Sequence, residues 1–211
     1  MEFMEQISRA VIEGRVEEIE RLTREALKAG KTAKEILDEG LVRGMDYVGI
    51  QFKKGDLFIP EVLLSARVMQ ASQSILKPEF AEDRVKMRGK VVLGTVKGDL
   101  HDIGKNLVGM MLEGAGFEVY DLGIDVAPEA FVEAVKEKKP DIVGMSALLT
   151  TTMGMMQNTI SGLVEAGVRE EVKIMVGGAP VTEEFAQQIG ADGCGNDAMA
   201  AVDLAREFVG V

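Results

Sequence analysis

"KVVLGTVKGDLHDIGKNLV", residues 90–108, decides how this chain is read. Its first seven residues are an apolar, β-branched run that predicts a buried strand. A polar turn follows at Lys97-Gly98-Asp99, and from residue 103 apolar side chains return at helical spacing. A strand that feeds a helix through a short loop opens a parallel α/β unit. The loop holds the only histidine of the 211 residues, His101. Asp99 lies two residues before it, Asp102 directly after it, and Gly104 three residues on.

Working outward, the same alternation repeats downstream. "FEVYDLG" (117–123), "DIVGMS" (141–146), "VKIMVGG" (172–178) and the short "ADGCG" (191–195) read as further strands. Helical patterns lie at 103–115, 127–138, 153–166, 182–189 and 197–209. Five such units predict a flavodoxin-like, Rossmann-like domain with a five-stranded parallel sheet. Ligands of that architecture bind outside the carboxyl ends of the strands, so topology alone puts His101 at the ligand edge. Upstream of residue 80 the period is helical throughout. Phe3, Ile7 and Val11 share one face, and Val16, Ile19 and Ala26 another. Ile36, Leu41, Met45, Val48 and Phe52 stripe a longer helix, and Pro60 suits the first turn of a fourth that carries Val62, Leu63, Ala66 and Met69. Breakers fall at Gly14, Gly30 and Gly55-Asp56. The chain therefore predicts a four-helix bundle over 1–80, a charged linker over 81–89 within "KPEFAEDRVKMRGK", and an α/β domain over 90–211.

Composition narrows the partners. A net charge of −11 without a basic run argues against nucleic acid. The start, "MEFMEQ", is acidic and has no apolar core of a signal peptide. No apolar run approaches the ~20 residues that span a bilayer. No membrane contact and a cytoplasmic location are the expectation. The single cysteine, Cys194, allows no internal disulfide and reads as a small buried hydrophobe. The 13 methionines read as core filler, with Met153, Met155 and Met156 close to the ligand edge.

The histidine loop admits several chemistries. A Walker-type phosphate loop needs four residues between its glycines and a hydroxyl after the lysine; here five separate Gly98 from Gly104, and Asn106 follows Lys105. A protein-built zinc or iron site needs three or four side-chain ligands, and one histidine and one distant cysteine do not supply them. Asp99, Asp102 and Asp121 or Asp125 could hold magnesium, but a phosphoryl-accepting domain needs an aspartate where the third strand ends in Ser146. A catalytic His–Asp pair is open, with no accompanying nucleophile motif. So is a plain polar loop. A last option uses the single imidazole directly. A macrocycle brings its own metal and four equatorial nitrogens, and the protein then supplies one axial ligand. An aspartate two residues away orients that imidazole and raises its basicity.

These residues resemble the cobalamin-binding family of methionine synthase and the small methyl-carrying corrinoid proteins. The family's motif runs D-x-H-x-x-G, then S-x-L, then G-G. In this chain it reads Asp99, His101 and Gly104, then Ser146 and Leu148, then Gly177 and Gly178. The intervals of 41 residues (105–145) and 28 residues (149–176) match the family's spacing. "GDLFIPEVLLSARVM", residues 55–69, resembles the family's helical cap module, so the resemblance covers nearly the whole chain.

The resemblance implies a cobalamin or related corrinoid bound base-off and His-on. His101 would be the lower ligand of cobalt, Asp99 its hydrogen-bond partner, and Thr152 the relay hydroxyl where methionine synthase has a serine. Asp102, Ile103 and Gly104 would contact the cofactor from the same loop. Ser146, Leu148, Thr150, Thr152, Gly177 and Gly178 would line the pocket for its nucleotide tail, the glycines leaving room for a flat base. Phe52, Ile59 and Val62 would cover the upper face of the corrin, with Glu39 as a cap carboxylate. By the same resemblance the chain is a methyl-carrier subunit rather than a complete enzyme, pivoting in the 77–89 linker. It would work with a substrate-specific methyltransferase, a methyl-accepting methyltransferase that serves tetrahydrofolate or coenzyme M, and a reductive activase. The donor would be methanol, a methylamine or an aryl methyl ether. A cobalamin sensor is the alternative, but such proteins carry a DNA-binding or signalling segment. Radical mutases share D-x-H-x-x-G and need a substrate barrel.

Overall fold

The computed structural model describes residues 2–76 and 87–211 in full and the backbone of 77–83. Two compact units result: Met1–Met87 with Glu113–Gly116, and Arg88–Leu112 with Phe117–Val211.

The first unit is helical. Helices α1 (Glu2–Ile12) and α2 (Val16–Lys28) join at Gly14, whose φ of +66° and whose missing Cβ, 2.9 Å from Leu64 Cβ, both exclude a side chain. Thr32 starts the next helix with a reciprocal capping box: its hydroxyl accepts from the Glu35 N–H (3.1 Å), and the Glu35 carboxylate accepts from the Thr32 N–H (2.9 Å). That helix runs as α3 (Ala33–Glu35), a π-helical segment (Ile36–Val42) and α4 (Arg43–Lys54). Gly40 and Gly44 let it approach α1 closely, since a Cβ on either would lie 2.8 Å from Ile7 or 2.7 Å from Val11. Ile7, Ile19, Ile36, Leu41, Val48 and Met69 are buried. Val16, expected on the inner face of α2, is 36% exposed because it is the first residue of its helix.

Helix α5 (Ile59–Asp83) overruns the expected end of the bundle. Charge does not stop a helix, and Glu79, Ala81 and Glu82 are good helix formers. Part of the expected linker, 81–83, is therefore helical; residues 84–86 lie outside the described residues.

The second unit carries strands β1 (Lys90–Thr95), β2 (Glu118–Asp121), β3 (Ile142–Ser146), β4 (Lys173–Gly177) and β5 (Gly193–Gly195), in the order β2-β1-β3-β4-β5. All pairings are parallel. Helices α6 (Ile103–Gly114), α7 (Pro128–Lys138), α8 (Gly154–Glu165), α9 (Glu183–Ile189) and α10 (Ala198–Val209) follow the strands in turn. Each expected strand and helix appears within a few residues of its predicted span. Phe131, Ile142, Met156 and Leu163 are fully buried, each stabilising the fold by about 1.5–3 kcal/mol relative to exposure. Gly94 makes room for Phe131, whose ring would stand 2.7 Å from a Cβ there.

The strand order reverses between β1 and β3, the switch point at which this architecture opens a crevice. Register lines up the carboxyl edge. Thr95 stands opposite Ser146, Ser146 opposite Gly177, and Gly177 opposite Gly195. Two of the motif blocks, at Ser146 and Gly177, thus begin on neighbouring strand ends, and the block at Asp99 follows the end of β1 by four residues.

Candidate functional site

The β1–α6 loop leaves the sheet at Val96, whose N–H donates to the Ser146 carbonyl (3.0 Å). Gly98 turns it with φ +82°, and the buried Thr95 hydroxyl donates to the His101 carbonyl (2.9 Å), which curls it back. Asp99 then closes a local turn: its Oδ1 accepts the His101 N–H (3.1 Å) and lies 2.7 Å from His101 Nδ1. The other oxygen, Oδ2, accepts the Leu148 N–H (2.8 Å), the Leu149 N–H (3.1 Å) and the Thr152 hydroxyl (2.7 Å). That hydroxyl also stands 2.8 Å from the Leu149 carbonyl, but it has one proton, and an ionised carboxylate is the stronger acceptor.

Asp99 is fully buried and His101 half exposed, with side-chain exposures of 0% and 51%. Burial pushes the Asp99 carboxyl up; the hydrogen bonds from Thr152, the His101 ring and N–H, and Leu148 outweigh it and hold the group well below the usual carboxylate range. The ionised carboxylate can only accept, so Nδ1 carries the proton. In the neutral imidazole Nε2 then carries the lone pair, and it has no protein partner among the bonds of the described residues. The extra methyl of Thr152 is accommodated at Gly98, where a Cβ would meet it at 3.6 Å.

Apolar residues flank this polar pair. Leu100 and Ile103 are 67% and 78% exposed, and Leu148, Leu149 and Ile124 are each more than two-fifths exposed. Gly104 has no neighbour within 4 Å of a Cβ position. Asp102 faces away from His101 in bonding terms, accepting from the Asn106 amide (3.0 Å). Asp121 and Asp125, weighed as magnesium ligands, are paired with Lys105 and Lys97. Among the described residues no three His, Cys, Asp or Glu side chains converge as a metal-ligand set.

The remaining expected residues are placed as follows. Ser146 is half-buried at the end of β3 and Thr150 is exposed. Gly177 and Gly178 answer first to the chain's own backbone. A Cβ on Gly177 would lie 2.8 Å from the Gly195 carbonyl oxygen, and one on Gly178, at φ +128°, 1.9 Å from that of Ala147. At those two positions the absence of a side chain is thus required by neighbouring carbonyls of the chain itself. In the helical unit Ile59 is exposed and Phe52 half-buried, but Val62 is fully buried and has no surface to offer. Glu39 is exposed on the π-helical segment. Met156 is core, and Met153 and Met155 pack against that core. Cys194 is buried, and burial first, then Glu183, pushes its thiol up.

Five contributions were not anticipated. The N–H groups of Leu148 and Leu149 act through the backbone and leave no mark in side-chain chemistry. Thr95 was legible only as a strand residue, and the bonds of Asp125 to the histidine loop (described below) were hidden behind its reading as a metal ligand. Lys105, 3% exposed, joins Asp121 and Asn106 across the first turn of α6. A lysine one residue past Gly104 could have signalled it.

Residues 89–203 match the family described as the B12 binding domain. This chain belongs to the B12-binding family. Residues 4–77 match a second family also described as a B12 binding domain. A corrinoid protein of Desulfitobacterium hafniense is 40% identical over 213 residues, covering 100% of this chain and 99% of that protein. Trimethylamine corrinoid protein 2 of Methanosarcina acetivorans is 51% identical over 181 residues, 85% and 83% of the two chains. Among solved structures, the methanol:cobalamin methyltransferase complex MtaBC of Methanosarcina barkeri aligns with TM-score 0.90 and 32% identity, over 99% of this chain and 80% of that chain. The cofactor of the B12-binding family is a corrinoid, and the loop fits one. It offers a single imidazole whose Nδ1 is already satisfied, a buried carboxylate behind it, an open glycine beside it, and apolar side chains around it. Among the described residues no helix is long and apolar enough to cross a membrane.

Proposed function

We propose that the chain is a methyl carrier that holds a corrinoid through His101 and passes a methyl group between two methyltransferases. One observation carries the proposal: the buried, ionised Asp99 fixes the half-exposed His101 with Nδ1 as donor and Nε2 free. When bound, the corrinoid's cobalt supplies the nucleophilic centre that accepts and returns the methyl group. The residues of this chain hold and tune it. His101 would hold the cobalt through Nε2, and Asp99 would raise the basicity of that nitrogen through the Nδ1 proton. Thr152, Leu148 and Leu149 keep Asp99 ionised and aimed. Leu100, Ile103 and Leu148 would exclude water around the His101 ligation site, and Ser146, Thr150, Gly177 and Gly178 are candidates for the nucleotide-tail pocket. Phe52 and Ile59 are candidates for apolar contact from the helical residues, which we delimit as 1–80, with 81–89 as link and 90–211 as the cobalamin domain.

The names of the relatives support methyltransferases as partners and a small methylated compound, a methylamine or methanol, as donor. A cytoplasmic location is supported by the single cysteine being a free, buried thiol. The test is the visible spectrum of the apo-protein loaded with cobalamin, for wild type and His101→Ala. Bands that shift in the variant identify His101 as the ligand. Identical spectra would remove it from that role, and failure of the wild type to retain corrinoid would remove the reading itself. Methyl transfer from a methylated amine or methanol, with the cognate methyltransferase added, completes the test.

A further inference from the structure

Beyond the pairing of Val96 with Val126 at its base, the loop that carries His101 is braced from the neighbouring β2–α7 connection by Asp125. Its N–H donates to the Asp99 carbonyl (3.0 Å). Its Oδ1 accepts the Gly98 N–H (2.8 Å), and its Oδ2 accepts from Lys97 Nζ (3.0 Å). Three consecutive residues of the histidine loop therefore end on one aspartate. Asp125 also adopts φ +54°, one of two non-glycine residues with positive φ among those described. The other, Lys139, simply ends α7. A side chain is kept in the left-handed region only where its bonds over-determine it, and aspartate tolerates that region better than most residues. Gly98, itself at φ +82°, adds no stiffness of its own, so the loop depends on bonds from outside. The Gly98 N–H first, and Lys97 after it, hold the Asp125 carboxyl below its ordinary range.

We infer that Asp125 is a positioning residue for His101: it fixes the backbone of Asp99 and, through the Asp99 carboxylate, the tautomer and aim of the imidazole. Without the Asp125 carboxylate, that of Asp99 would still be gripped from the β3–α8 side, and the main-chain N–H of residue 125 would still reach the Asp99 carbonyl, but the brace at Gly98 and Lys97 would be lost, freeing the turn that leads into Asp99. The Oδ1 to Nδ1 contact is the bond that such freedom would loosen. This inference rests on the reading of His101 as the corrinoid ligand, and its test is built to stand apart from that reading.

Because His101 is the only histidine, long-range ¹⁵N–¹H spectra of the apo-protein report one imidazole and give its Nδ1–H to Nε2–H ratio directly. Asp125→Gly keeps the positive φ and removes the carboxylate. Asp125→Asn keeps an acceptor for Gly98 and removes the charge. The expected result is a native far-UV spectrum for both, with the ratio falling roughly fivefold in Asp125→Gly, the scale of one lost hydrogen bond. Asp125→Asn should fall between. After cobalamin is added, the His-ligated bands should weaken in the same order, with His101→Ala marking complete loss. A wild-type ratio in both variants overturns the inference. Should Asp125→Gly fail to fold, Asp125→Asn decides: a lowered ratio supports the role and an unchanged ratio overturns it. If the wild type retains no corrinoid, the functional reading falls, and the apo spectra still decide the role of Asp125.

Discussion

At the scale of single residues, Asp99 and His101 are adjacent in function but opposite in structural weight. Asp99 is buried under five donors, so Asp99→Ala removes the acceptor of three main-chain N–H groups and leaves the Thr152 hydroxyl only the Leu149 carbonyl. It should lower stability by about 2–4 kcal/mol in urea denaturation. His101 is half exposed, and His101→Ala should change stability by less than about 1 kcal/mol in the same experiment while removing the lower ligand. Equal losses in the two variants would contradict the site as described. Thr152 separates hydroxyl from shape. Thr152→Ser keeps the donor and should retain the wild-type spectrum of the loaded protein, whereas Thr152→Val keeps the volume, loses the donor to Asp99, and should shift it. Since the folded Asp99 carboxyl lies below its unfolded value, its contribution is present above the ordinary carboxylate range and is lost as pH falls through the lower, folded value.

At the scale of elements, the decisive features are caps and edges. The Thr32 N–H, then Lys31, hold the Glu35 carboxyl at about 2, down from 4.5. That interaction is therefore intact above about pH 4.5 and disappears as pH falls toward 2. The wild type should lose its melting-temperature advantage over Glu35→Gln across that window, and an advantage that persists below it would refute the linkage. Thr32→Ala, which removes the other half of the box, should cost about 1 kcal/mol at neutral pH. Gly178 directly follows β4, where a side chain does not fit because both its φ and the Ala147 carbonyl exclude a Cβ. Gly178→Ala should cost more than about 3 kcal/mol, seen as loss of the cooperative melt or of soluble yield. These features were the least legible in the sequence. Alternation of apolar runs marked every strand, but the π-helical Ile36–Val42 has the same apolar spacing as an ordinary helix, and the acidic tail of α5 looked like a linker because composition records charge and not hydrogen bonding.

At the scale of the whole molecule, a ligand that binds only the folded state raises its stability by mass action. Cobalamin at about a hundred times its Kd should add about 2.7 kcal/mol, visible in calorimetry as a higher Tm for the wild type and a smaller rise for His101→Ala. No rise in the wild type would argue against specific binding. What the sequence made readable was the set of side chains that act by their own chemistry: Asp99, His101, Thr152 and the glycines at the strand ends. What it hid was the wiring between loops, since Leu148 and Leu149 contribute main-chain groups and Asp125 contributes a bond to a carbonyl. That wiring has a mechanical consequence. Asp99 couples two loops as a rigid rod couples two levers, with the β3–α8 loop fastened to one carboxylate oxygen and the imidazole to the other. A partner that grips residues 148–152 and displaces them must either drag the imidazole with them or snap the rod, and so has a handle on the histidine without ever touching it.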